Sequence, residues 1–244
     1  MTKKRWIAAV LVVGVAAVAI FGVWYFVFRD DAPPAVTLES ATKSLDDATT
    51  ATTAGGSATG LDGTWTVDQS IGTFSDFSSS FAGFRVQEEL AGVGAKTAVG
   101  RTPKVTGSMT LKGTSIPQAN FEVDMTTLTT DDARRDGAIR SQAIETSRFP
   151  KATFTLTQPI ALGSIPADGE QITVDATGNL TLHGVTTAVA IPLEAQRKGN
   201  VIAVVGQLPI PFADYGINKP SAAAVLSVDD KGVLEVQLFF TKTT

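Results

Sequence analysis

The chain has 244 residues, a formal net charge of −4 and 43% hydrophobic residues. Its basic side chains form no cluster beyond the first five residues, so the electrostatic footprint of a nucleic-acid binder is missing. With no cysteine there can be no disulfide, thiolate metal site or lipidated N-terminal Cys, and the single histidine, His183, cannot make a zinc site alone.

The first element is an uncharged run from Trp6 to Phe28, and a bilayer core needs about 20 such residues. It predicts a transmembrane helix. Lys3, Lys4 and Arg5 precede it, whereas Arg29 is followed at once by Asp30 and Asp31. The positive-inside bias therefore puts residues 1–5 in the cytoplasm and everything after the helix outside the plasma membrane, as a single-pass protein. Trp6, Trp24 and Tyr25 suit interfacial anchors of a retained helix. A cleaved signal ends in a small-x-small site after an apolar region of about 7–15 residues; here the apolar run continues past spacings such as Ala17-Val18-Ala19 to Phe28, which favours a retained helix. Residues 29–60 are rich in Ala, Thr, Ser, Gly and Pro and lack aromatics after the anchor, which predicts a flexible extracytoplasmic linker with a reach of ~30 Å.

From residue 61 to 244 apolar residues recur at every second position. The pairs Phe84 and Val86, Phe121 and Val123, and Phe154 and Leu156 are followed by Leu180 and Leu182, Ile191, then Leu208, Ile210 and Phe212, and finally Leu238. Their neighbours are largely polar, as in "ATFTLTQ", which is the pattern of antiparallel strands with one face buried. Eight or more such strands predict an all-β domain, a barrel or a sandwich. At about eight strands a closed barrel either fills with side chains or holds one small ligand. Periodicity leaves both open: a hollow binding barrel, or a closed-core structural or interaction module of the cell envelope.

One stretch breaks the alternation. "TTDDARRDGAIRSQAIETSRFP" reads as a short helical insertion, with Thr129 or Thr130 as N-cap and Asp131 and Asp132 in the first turn. Asp131 with Arg135, and Asp136 with Arg140, are four apart and share a helix face. These arginines form either a solvated face or, through Arg135 and Arg140, a head-group contact at the barrel mouth. His183 lies in "LHGV", beside a glycine where two alternating runs meet. That is turn chemistry, and with no Gly-x-Ser-x-Gly elbow it predicts a turn residue whose ring bonds nearby backbone, not a catalytic base.

Three ordered segments, "RRDGAIRSQAIETSRFPKATFTLT", "ATGNLTLHGVTTAVAIPLEA" and "GQLPIPFADYGINKPS", resemble the YceI-like family of polyisoprenoid- or lipid-binding proteins over roughly Leu61 to Thr244. The matching positions are Arg135, Asp136, Ile139, Arg140, Ser141, Phe149, Pro150 and Phe154, then Leu180, Thr181, His183, Gly184, Val185 and Thr186. The family's Arg-x-Asp-Phe-Gly segment is here Phe212, Ala213, Asp214, Tyr215, Gly216, without the arginine. The resemblance implies a lipocalin-like antiparallel barrel that holds an isoprenoid or other lipid inside, with no catalytic activity and no cofactor. The inward residues named above would line the ligand, and Tyr215 could offer a hydroxyl at the mouth. Each buried CH₂ of such a ligand contributes about 0.8 kcal/mol, so apolar walls suffice and no sharp polar motif is needed.

Overall fold

The computed structural model describes residues 32–49 and 60–243. Its twelve strands are β1 (Gly63–Val67), β2 (Phe81–Leu90), β3 (Gly94–Thr102), β4 (Val105–Lys112), β5 (Ser115–Asp124) and β6 (Lys151–Leu156), followed by β7 (Ile160–Ala161), β8 (Gln171–Leu182), β9 (Val185–Lys198), β10 (Val201–Pro211), β11 (Val225–Val228) and β12 (Lys231–Lys242). Eight of them close into a barrel in the order β1, β4, β5, β6, β8, β9, β10, β12, with β12 returning to β1. Every neighbouring pair is antiparallel. The alternation read from the sequence is therefore the inside and outside of a closed, lipocalin-like barrel.

Closure depends on β12. One edge pairs with β10 from Val201↔Thr241 to Pro211↔Lys231. The other edge is divided: Phe240 to Lys242 pair with β1, and Val233 to Gln237 pair with β2. The join falls at Phe239, whose N–H donates to Ser80 Oγ at 3.0 Å and whose carbonyl accepts from Asp68 N at 2.8 Å. Ser80 Oγ itself donates to the Asp68 carbonyl at 2.9 Å. A side chain thus replaces a strand at the one point where the ladder changes partner. The β2–β3 hairpin widens this end, and an isolated bridge between Arg101 and Thr129 ties it to the turn after β5.

The linker expectation is corrected over residues 32–49. Leu38–Thr49 form a helix, α1, and Val36, Leu38, Ala41 and Leu45 are buried with Phe81, Ala203, Val205 and Phe239 of the outer barrel face. The i, i+3, i+7 spacing of Leu38, Ala41 and Leu45 supplies the apolar stripe. Ahead of the helix, Arg85 donates to the Pro33 carbonyl (2.6 Å), Arg101 to the Pro34 carbonyl (2.8 Å) and Gln207 to the Val36 carbonyl (3.0 Å). Beneath this strap Glu235 is wholly buried and accepts from Arg101 Nε at 2.7 Å. Burial pulls the Arg101 guanidinium below its ordinary value, and the Glu235 carboxylate opposes that shift.

The helical insertion is also shorter than expected. α2 spans Ala133–Ala138 and runs into a π turn over Ile139–Ala143. Its N-cap is Asp132, not Thr129 or Thr130: the carboxylate accepts from Arg134 N (2.7 Å) and Arg135 N (3.3 Å), which holds its pKa below the ordinary range. Thr130 instead donates to Asp136 at 2.8 Å. Among the described residues no helix is long and apolar enough to cross a membrane; the Trp6–Phe28 run lies outside them.

Replacing Ser80 with Ala leaves the buried Phe239 N–H without its acceptor, which should cost about 1–3 kcal/mol. A urea-unfolding midpoint in Ser80→Ala equal to that of the wild-type chain would show that the join does not need its hydroxyl.

Candidate functional site

Side chains meet inside the barrel, as Phe121 and Phe240 do with ring centroids 5.8 Å apart, but they do not fill it. Among the described residues the interior holds cavities of about 190 and 140 Å³. Each has walls almost entirely of aliphatic and aromatic groups, and the larger exceeds the ~150 Å³ apolar cavity that stays dry and takes up benzene in another protein. The first occupies the end formed by β4, β5, β6, β8 and β9, under the segment after β7. The second lies at the opposite end, between the β2–β3 hairpin, the α2 segment and the loop after β10. Ala82, Val123, Ala152 and Leu234 belong to both walls. Inward-pointing Phe84, Phe121, Leu156, Leu193 and Val236 are only half-buried, because the space in front of them is unfilled.

Of the residues assigned inward by strand phase, Phe121, Val123, Phe154, Leu156, Leu180, Ile191 and Leu238 line the first cavity. Phe84, Val86, Leu182, Ile210 and Phe212 line the second, with Val123 shared. Leu208 lines neither. It pairs with Leu234 and packs half-buried against the core cluster.

A local device keeps the aromatic walls thin. The Phe84, Phe121 and Phe154 rings lie against Gly100, Gly107 and Gly178, where a Cβ would come within 2.3, 2.5 and 2.5 Å of a ring carbon respectively. Phe84 faces Gly100 and Phe121 faces Gly107 in register, and Gly178 sits diagonally beside Phe154 across the β6–β8 pair. A missing side chain on the neighbouring strand lets each ring recline on the sheet rather than project into the lumen.

Polar groups gather only where the cavities approach the surface. Glu170, Gln196 and Arg197 rim the first, with Arg197 paired to Asp168 at 2.8 Å. Glu88, Arg135 and Asn218 rim the second. Arg135 donates to Glu88 at 2.5 Å and also pairs with Asp131. Burial alone would pull its guanidinium down, but the Glu88 and Asp131 carboxylates raise it above its ordinary value. Arg140 pairs with Asp136 at 3.5 Å and lines neither cavity. Of the two arginines proposed for the mouth, the structure brings only Arg135 there.

Tyr215 is corrected outright. It is 1% exposed and belongs to the core cluster. Its hydroxyl makes no well-formed hydrogen bond among the described residues; burial pushes the phenol up, and the Thr187 hydroxyl pulls the other way. The turn after β10 folds the ring under the barrel instead of presenting it to a ligand. His183 stands in the β8–β9 turn at φ +52°, and its ring lines neither cavity. Nδ1 lies 3.0 Å from the Tyr215 carbonyl and Nε2 3.0 Å from Glu145 Oε2, so the ring ties three segments together. Phase reasoning also missed Ile160, Leu162 and Ile165, which cover the first cavity from the turn-rich "PIALGSIP", and Ile139 and Ile144, which cover the second from the α2 segment. The signal was present as apolar residues in stretches without strand periodicity.

An eight-stranded antiparallel barrel with an apolar, incompletely filled interior defines the lipocalin-like class of small-molecule-binding architectures. The chain belongs to the YceI-like family, whose domain model matches residues 65–240. Protein YceI of Salmonella arizonae and that of Salmonella agona are each 31% identical to it over 124 residues, 50% of this chain and 59% of theirs. The chain thus spans less than two-thirds of the length of these curated relatives. Among solved structures, a polyisoprenoid binding domain from Saccharophagus degradans, implicated in plant cell wall breakdown, is similar with a TM-score of 0.56 and 21% identity, covering 75% of this chain and 99% of its own. Burkholderia cenocepacia BcnA is similar with a TM-score of 0.52 and 18% identity, covering 71% and 98%. These likenesses show a shared barrel.

Gly100→Ala should swing the Phe84 ring into the second cavity, because the new methyl would sit 2.3 Å from a ring carbon. A loss of about 1–3 kcal/mol in urea unfolding is expected from overpacking, together with weaker uptake of a fluorescent polyene fatty acid. Unchanged uptake and stability would show that the reclining ring does not depend on the glycine.

Proposed function

We propose that the chain is a non-catalytic lipid-binding protein that holds a long isoprenoid or comparable apolar chain inside its barrel, at the outer face of the plasma membrane. The observation that carries this is the unfilled apolar interior: inward side chains keep accessible surface, and polar groups are confined to the rims. An interior of this kind gains about 25 cal/mol for each Å² of apolar area that a ligand removes from water. Part of that gain is offset by ordering the ligand. The similarity to a domain described as polyisoprenoid binding supports the same ligand class. His183 supports a structural role over a catalytic one, since both ring nitrogens face fixed acceptors away from the lumen.

The membrane part of the proposal rests on the Trp6–Phe28 run and the charges around it. A closed-core module would fill the barrel with side chains, whereas an apolar cavity of about 190 Å³ remains among the described residues.

Native mass spectrometry of the full chain, extracted in mild detergent, should show a retained lipid or uptake of an added polyprenyl alcohol. Leu156→Trp, which places an indole in the first cavity, should lower that uptake while leaving the thermal midpoint nearly unchanged. A wild-type chain that stays ligand-free with polyprenyl alcohol and with fatty acid alike would overturn the proposal.

A further inference from the structure

The two cavities are separated by a waist one side chain thick. Along β5, Phe121 lines the first cavity, Val123 lines both, and Met125, just past the strand, lines the second. Along β12 the same change runs from Val236 through Leu234 to Gly232. Ala152 on β6 and Ala82 on β2 are the other residues common to both walls. In the ring of eight strands β6 and β12 stand four apart in either direction, so Ala152 and Leu234 reach the waist from opposite sides of the barrel. Val123 is beside Ala152 in register, and Ala82 is the diagonal neighbour of Leu234 across the β2–β12 pair. Each side of the waist therefore carries one branched residue and one alanine, whose methyl group fills the least lumen.

The volumes make this waist decisive. An apolar cavity of ~150 Å³ takes up a guest the size of benzene, and these cavities are of about 190 and 140 Å³. A chain of many carbons fits in neither alone. It has to occupy both, and to do so it has to pass between Ala82, Val123, Ala152 and Leu234. None of these side chains has a polar atom, so a polar head group would lose its hydrogen bonds there without replacement. Only the tail crosses.

Resting on the lipid-binding reading above, we propose that a single ligand threads both cavities and that Ala82 and Ala152 determine which ligands can. A slender, flexible hydrocarbon chain passes the waist. A broad, rigid apolar molecule such as a fused-ring skeleton stops at it, and shares the barrel with whatever fills the other cavity.

Native mass spectrometry of the full chain, titrated with the short prenyl alcohol geraniol and the longer geranylgeraniol, tests this without a substitution. One bound geranylgeraniol should exclude geraniol altogether, whereas a ligand confined to one cavity would leave a geraniol bound beside it. Ala152→Leu and Ala82→Leu, which place an isobutyl group at the waist from either side, should each weaken geranylgeraniol binding by roughly tenfold or more, the equivalent of only a couple of CH₂ groups left in water. Geraniol binding should weaken far less, with the β-sheet circular dichroism of both variants retained. Leu234→Ala, which opens the same ring, should speed geranylgeraniol uptake. Geraniol bound together with geranylgeraniol, or equal loss of both alcohols in the folded leucine variants, overturns the threading while leaving lipid binding intact. A wild-type chain that takes up neither alcohol overturns the reading on which the threading rests.

Discussion

The structure depends on satisfying both edges of β12. A closed barrel has no free edge, yet this strand meets two different partners on one side, β1 and β2, which enter from opposite ends. The change of partner leaves one backbone amide and one carbonyl in a buried place, and buried backbone groups have to be paired. Ser80 and Asp68 supply the pairing. With that join made, β2 and β3 are free to flare outward, and the flare is what makes room for the second cavity under the α2 segment.

The outer face of β12 shows the same economy. Glu235 and Gln237 occupy the polar phase of the strand, and both are buried, at 0% and 2% exposed. Gln237 donates to the Phe77 and Ser79 carbonyls at 3.0 and 2.9 Å, while Glu235 holds Arg101. A buried ion pair contributes little net stability by itself, because desolvation offsets its attraction. Its effect here is geometric: it fixes the guanidinium whose other nitrogen holds the Pro34 carbonyl. The interior is built on the opposite logic, with no charged group until the rims are reached. Directional bonds position the barrel from outside, and undirected apolar surface receives the ligand within.

Much of this was legible in the chain itself. Alternation identified β2, β4, β5, β6, β8, β9, β10 and β12 and their inward phase, since a period of two leaves each residue only one face to occupy, but it did not identify β1, β3, β7 or β11. Twelve of the thirteen residues assigned inward do line a cavity, and the exception, Leu208, is half-buried against the core cluster. What alternation could not express is covering by something other than a strand. Ala203 with Val205, and Phe239 between Leu238 and Phe240, put apolar side chains on both phases, the mark of a strand buried on two sides. The cover, Leu38, Ala41 and Leu45, is too sparse a stripe to stand out in a Thr- and Ala-rich segment. Tyr215 was misplaced for a related reason: the left-handed Gly216 closes a turn that folds the ring inward, and a motif match carries no direction.

The glycines beneath the three phenylalanine rings carry one more implication. Each ring lies in the space left by a missing methyl group on an adjacent strand. At Gly100 a single added carbon would meet side chains alone and narrow the bore, whereas at Gly107 and Gly178 it would also press on a backbone carbonyl of the adjoining strand, at 2.2 and 2.5 Å. Descendants of this sequence could be refitted to guests of different girth while the staves of the barrel stay where they are.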